Sequence, residues 1–267
     1  MARNDSNIKE ELKFRDSTVM EGTTSIYAII DGISKKTNNR KIERVLFDSS
    51  KCTKKVGDLK FLESKAKELG FEIEICSAER IDELTIGSTH GGVIALCGER
   101  TFDELSDKTL EKIKPDGFYV MIEGIEDPYN FGYALRSLYA AGADGIILAP
   151  RNWMGAAGVV ARASAGASEM FSIFVSEPCR AIELLRSKGY KTVCAGIRDS
   201  VSIYDADLKK PVFLIVGGEK RGISRNVLNM TDETVRIDYG RNFRGSLSAA
   251  SAATVISFEI MHQNMKK

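Results

Sequence analysis

The sequence predicts an α/β chain in two parts, a small α/β unit followed by a larger one built on a mostly parallel sheet. Three observations carry this expectation. Short apolar runs alternate with segments of helical period along most of the 267 residues. The runs in the second half are almost wholly apolar, as strands covered on both faces must be. Between Ser106 and Asp116 the stretch SDKTLEKIKPD is polar and holds a proline, which sets a boundary there.

In the first part, GTTSIYAIIDGI reads as a helix, RVLFD as a strand and LKFLESKAKELG as a helix closed by Gly70. FEIEIC and HGGVIALC follow as strands. In the second part FYVMIEG is a strand, NFGYALRSLYAAG a helix stopped by Gly142, and GIILA a strand. CRAIELLRSKG is a helix, and YKTVCAGI and PVFLIVGG are strands. The chain then finishes on a helix of about 16 residues beginning at Ser246, with Ser246 as its N-cap. In it Leu247, Ala250, Thr254, Phe258 and Met261 recur at helical spacing, and the Ser and Ala residues of SLSAASAA permit close approach of another backbone. The boundaries are thus an N-terminal extension at 1–20, a first domain at 21–105, a linker at 106–116 and a second domain at 117–267.

A formal charge of +1 predicts no global attraction to nucleic acid or acidic membranes, so polyanion binding requires local clusters. One stretch qualifies. Between Lys35 and Lys60 nine basic residues face three acidic ones, a local net of +6. A run like this is either a solvated face or a phosphate-contacting patch, in which Lys35, Lys36, Arg40, Lys41, Lys54 and Lys55 are the candidates. Five cysteines, odd in number and with no C-x-x-C pair, point to reduced thiols, a cytoplasmic setting and no structural zinc. The opening MARNDSNIKEELKFRD has no apolar core of a signal peptide, and no segment is apolar for long enough to span a membrane.

Several chemistries lack material. No G-x-G-x-x-G follows the first strand of either domain, and no G-x-x-x-x-G-K-[ST] occurs, which disfavours a dehydrogenase or a P-loop enzyme. The two histidines, His90 and His262, are far apart, so neither a metal site nor a Ser-His-Asp triad is expected. Three stretches instead put polar or flexible residues at the carboxyl ends of predicted strands, where open α/β sheets bind ligands: EGIEDPYNFGYALRS, IVGGEKRGIS and VRIDYGRNFRGSLSAAS. Asn130 of the first is a helix cap or a ligand contact, and Arg136 is either a snorkelling surface arginine or a functional one. In the second, Gly217, Gly218 and Gly222 make a tight turn or admit a ligand to main-chain N–H groups, and Glu219 among them has no evident structural task.

In this order and at these distances the three stretches resemble the three motifs of the SpoU/TrmH family of RNA 2'-O-ribose methyltransferases, within the SPOUT class. The resemblance spans Phe118 to His262, and ARASAGASEMFSIFV is similar to the family's connecting segment. The upstream unit, with EGTTSIYAIIDG and STHGGVIAL, is similar to the ribosomal-protein-like substrate-binding domain that many members carry. The resemblance implies a C-terminal SPOUT α/β-knot, a deep trefoil knot in a mostly parallel sheet, preceded by a small α/β substrate-binding domain. It also implies S-adenosyl-L-methionine as cofactor, held near Gly217, Gly218, Ile237 and Leu247, and a homodimer whose active site draws on both chains.

Asn130, Arg136, Glu219 and Ser246 are the positions that the resemblance places around the reacting centre. The implied substrate is RNA, ribosomal RNA ahead of transfer RNA; a non-catalytic RNA-binding knot protein is the rival reading. Two departures from the family pattern stand out. This chain reads Ser246-Leu247-Ser248-Ala249-Ala250 where Ser-Leu-Asn-Val-Ser is usual, and Ile237-Asp238-Tyr239 where Ile-Pro-Met is usual. The first removes a carboxamide and a hydroxyl from the expected pocket.

Overall fold

A computed structural model describes residues 18–85, 89–125, 127–150, 156–218 and 222–265. In chain order the first elements are β1 (Val19–Glu21), α1 (Gly22–Ser34), β2 (Ile42–Asp48), α2 (Val56–Leu69), β3 (Glu72–Cys76), α3 (Ala78–Asp82) and β4 (Val93–Cys97). Then come β5 (Asp103–Glu104), β6 (Phe118–Glu123), α4 (Pro128–Ala140), β7 (Gly145–Leu148), α5 (Ala157–Ala163), α6 (Ala167–Met170), β8 (Ser172–Val175), α7 (Pro178–Ser187) and β9 (Lys191–Ala195). The last are β10 (Val201–Ser202), β11 (Val212–Gly217), α8 (Arg225–Met230), β12 (Glu233–Arg236) and α9 (Ala249–Asn264). They fall into two compact units.

The first unit holds a four-stranded sheet in the order β1-β4-β2-β3, with β2 and β3 parallel and the other pairs antiparallel. Its core gathers Met20, Ile29, Val45, Phe47, Leu62 and Val93, all fully or almost fully buried. Each such side chain stabilises the fold by about 1.5–3 kcal/mol through the water it sheds. Gly70 ends α2 in the left-handed region at φ 75°, its N–H bonded to the Ala66 carbonyl. Residues 156–170 belong to this unit as well, whereas the sequence reading assigns them to the domain at 117–267. What draws them in is charge and close approach. Arg162 pairs with Glu21 at 2.6 Å and Arg40 with Glu169 at 3.1 Å, while a Cβ on Gly158 would stand 2.4 Å from the Val19 carbonyl oxygen.

The second unit is a mostly helical wrapping on an eight-stranded sheet ordered β10-β12-β9-β11-β6-β7-β8-β5, in which every pair of neighbours runs parallel. The central strands β6 and β11 bury almost every residue, which explains their unbroken apolar reading. Met121, Ile147, Phe174, Phe213 and Ile215 form the core on one face. On α4, Pro128 occupies the first turn and Asp127 caps it, accepting from the N–H groups of Tyr129 and Asn130.

The final helix differs from its expectation in two ways. It begins at Ala249, not Ser246, and its N-cap is Ser248, whose hydroxyl accepts from the Ser251 N–H. Its buried face is Ala249, Ala253, Ile256, Ser257 and Ile260, whereas Leu247 and Phe258 are exposed. Just before the cap, the Leu247 N–H donates to the Tyr239 hydroxyl at 3.1 Å. α9 packs against α4 and β11. Among the described residues, no helix is long and apolar enough to cross a membrane.

Candidate active site

In the second unit, β12, β9 and β11 are neighbours, so their carboxyl ends meet although they lie far apart in sequence. There a cavity of about 600 Å³ opens. Its floor is Ala195–Ile197 at the end of β9, Val216–Gly218 at the end of β11 and Arg236–Tyr239 at the end of β12; Phe243–Leu247 and the start of α9 close it. This is the position at which open parallel sheets receive small ligands, and the volume lies within the roughly 300–1,000 Å³ usual for such pockets.

Gly217, Gly218, Ile237, Ser246 and Leu247 all line this cavity. The two glycines are required by main chain as much as by any ligand. A Cβ on Gly217 would lie 2.6 Å from the carbonyl carbon of Gly222, and one on Gly218 would lie 2.3 Å from the Gly124 carbonyl oxygen. Ala249 and Ala252 present the small side chains of α9 to the same space, with Ile256 behind them. The Ser/Ala composition of this helix thus serves close approach, as its sequence suggests.

Asn130 and Arg136 sit on α4 and are not among the residues lining the cavity. Arg136 is exposed and has no ion-pair partner among the described residues. Glu219 lies outside the described residues. Ser246 is exposed on the cavity wall and does not cap the helix. Ser248 does, so the departure from asparagine at that position falls on a capping side chain, where serine and asparagine serve about equally well.

Sequence reasoning passed over Gly196, Asp238, Tyr239, Phe243 and Arg244 as lining residues. A signal for the last four was present, since DYGRNFRG joins a predicted strand end to the final helix. Asp238 is paired with Arg236 at 2.9 Å, and a hydrogen bond from Ser202 together with that guanidinium holds its carboxyl below the usual range. Among the described residues no group of His, Cys, Asp and Glu could hold a metal ion.

The basic stretch of the first unit does not form one patch. Lys35 and Lys36 follow α1 and Lys41 precedes β2, whereas Lys54 and Lys55 lie beyond its other end. A seven-residue strand separates the two groups by roughly 20 Å. Lys35 is moreover bonded to Asp31 at 2.7 Å. Arg40 is not a surface residue at all: it is 4% exposed, bonded to Glu169 and to the Gly98 carbonyl. Its charge is spent inside the unit, which removes it from any phosphate-binding face.

Comparison with known proteins adds an independent line. The 23S rRNA (guanosine-2'-O-)-methyltransferase RlmB of Shewanella oneidensis is 31% identical over 206 residues, covering 74% of this chain and 81% of the relative. RlmB of Bordetella pertussis is 26% identical over 223 residues, covering 83% and 89%. The AdoMet-bound rRNA methyltransferase of Sinorhizobium meliloti superposes with a TM-score of 0.78 at 22% identity, over 97% of this chain and 95% of that one. The SpoU methyltransferase AviRb of Streptomyces viridochromogenes, in complex with AdoMet, gives 0.73 at 21% identity, over 93% and 90%. These two share the fold. Residues 20–102 match the profile described as RNA 2'-O ribose methyltransferase substrate binding, and residues 117–258 match that of the SpoU rRNA Methylase family. Because the second profile spans more than half of the sequence and holds the cavity built above, this chain belongs to the SpoU rRNA methylase family.

Proposed function

We propose that the protein transfers a methyl group from S-adenosylmethionine to a ribose 2'-hydroxyl of ribosomal RNA, a guanosine of 23S rRNA by kinship with RlmB. The observation that carries this reading is the cavity at the carboxyl ends of β9, β11 and β12, lined by residues of the second and third motifs. Its volume, its apolar walls at Val216, Ile237, Leu247 and Ile256, and the side-chain-free glycines Gly217 and Gly218 in its lining fit a nucleoside-sized cofactor. The bound cofactor would supply an electrophilic sulfonium methyl.

The chain's own residues then have to hold the ribose and tolerate the loss of its proton. A guanidinium holds its proton and is a poor base, so Arg136 acts as a clamp on the adjacent phosphate and a stabiliser of the developing alkoxide. Asn130, Glu219 and Ser246 complete the reacting centre by resemblance, and the proton leaves to another group or to water. Arg136 does not line its own chain's cavity, which supports a homodimer in which α4 of one copy serves the site of the other. The exposed apolar side chains Leu247, Phe258 and Met265 support the same reading. A trefoil knot is supported by the return of the chain after β12 to lie against β11 and α4. Five free cysteines suit the reducing cytoplasm.

The test is direct. Calorimetry should detect S-adenosylmethionine binding, and ribose-methylation mapping should find one 2'-O-methyl site missing from the rRNA of a deletion strain. Arg136→Ala should abolish methyl transfer while leaving cofactor affinity within about twofold of wild type. A well-folded protein that binds no S-adenosylmethionine would sink this reading, and a missing site in tRNA with rRNA unchanged would move the substrate.

A further inference from the structure

Residues 238–245, DYGRNFRG, bound a second cavity of about 410 Å³, lined by Asp238, Tyr239, Gly240, Arg241, Phe243 and Leu247. Asp238, Tyr239, Phe243 and Leu247 also line the 600 Å³ cavity, so they form the wall between the two spaces. That wall is held in place. The Leu247 N–H donates to the Tyr239 hydroxyl at 3.1 Å, and the Tyr239 and Phe243 rings stand 6.1 Å apart at 50°. Gly245 lies against the Phe243 ring, where a Cβ would come within 2.5 Å of it.

The charges around this second cavity are unbalanced. Asp238 is already neutralised by Arg236, whereas Arg241 and Arg244 are exposed and have no acidic partner among the described residues. Phe243 is 60% exposed, a large ring left in water; Arg241 lines the smaller cavity with it and Arg244 the larger. Aromatic rings that present a face beside unpaired arginines are what single-stranded RNA uses: bases stack on the rings, and phosphates take the guanidinium forks.

We infer that the 410 Å³ cavity is a subsite for one nucleotide of the RNA substrate, its base stacked on Phe243 and an adjoining phosphate held by Arg241. The subsite rests on the methyltransferase reading, because it is the shared wall that brings this nucleotide next to the cofactor cavity. Asp238 and Tyr239, which depart from the family's usual Pro and Met, build that wall. The competing account makes this segment no more than a cover over the cofactor, in which case changing Phe243 would leave rRNA binding without cofactor unaltered.

The experiment uses the full chain, a 23S rRNA transcript in filter binding, and S-adenosylmethionine in calorimetry. Without cofactor present, Phe243→Ala should weaken rRNA binding about tenfold and Phe243→Trp should restore it, while Arg241→Gln, outside the lining of the 600 Å³ cavity, should leave cofactor affinity within about twofold. Arg241→Gln should lower the slope of log affinity against log salt by about one. Unchanged rRNA binding by Phe243→Ala in the absence of cofactor overturns the subsite, as does an unchanged salt slope in Arg241→Gln. Failure of the methyltransferase reading shows separately, as wild-type protein that binds no S-adenosylmethionine.

Discussion

Glu169 is 3% exposed and carries its charge in the interior of the first unit. Burial alone would push its carboxyl up, but the guanidinium groups of Arg40 and Arg100, with hydrogen bonds from Arg40 and Asn38, bring it below the ordinary 4.5. Asn38 donates to the carboxylate at 2.8 Å and to the Glu169 carbonyl at 3.0 Å. Arg100 gives its N–H groups to the Ser168 and Thr37 carbonyls, and burial pulls its pKa to about 10. Removing one member of such a network strands the other charge. Glu169→Gln should therefore cost about 3–5 kcal/mol at neutral pH by denaturant unfolding. Because the folded pKa is depressed, the stabilisation is complete above the unfolded value and is lost as pH falls through the folded one. The gap between wild type and Glu169→Gln should narrow below about pH 4, and a gap independent of pH would contradict the charge assignment.

Among elements, α9 shows how local chemistry sets a helix boundary. Three serines precede or open it, at 246, 248 and 251, and spacing alone does not say which one caps. Ser248 takes the cap, its hydroxyl accepting from the Ser251 N–H, while the Leu247 N–H ahead of it donates to Tyr239. Ser248→Ala should cost about 1 kcal/mol, while Ser248→Asn should be close to neutral, as thermal melting would read. A neutral alanine variant would show that another group satisfies the first turn. The same cap places Ala249 and Ala252 against the cavity, so the helix start also sets which small side chains face the ligand.

At the scale of the whole molecule, the basic residues of the first unit fall into two separate groups. Lys54 and Lys55 stand at one end of β2, next to the first turn of α2, and Lys35 at the other is engaged with Asp31. Phosphate contacts release counterions in proportion to their number, so Lys54→Gln with Lys55→Gln should lower the salt slope of rRNA binding by about 1 to 2. Lys35→Gln with Lys36→Gln should lower it less. An unchanged slope in the first pair would return that cluster to a solvated face.

The sequence by itself determined the alternation of helices and strands, the α/β class, and the stops at Gly70 and Gly142, while the cavity-lining residues Ile237 and Leu247 were singled out by the family resemblance of their motifs. Alternation, class and stops depend on local periodicity and on backbone freedom at single positions, which neighbouring residues encode. Tertiary structure decided the rest. Nothing local marks Arg40 as buried among the lysines around it; only Glu169, 129 residues away, makes its burial affordable. The split of the basic stretch follows from β2 running between its halves, and the placement of residues 156–170 in the first unit follows from partners at Glu21, Asn38 and Arg40. The cavity itself exists because strand order sets β9 between β12 and β11, which brings together the ends of three segments that the chain keeps apart.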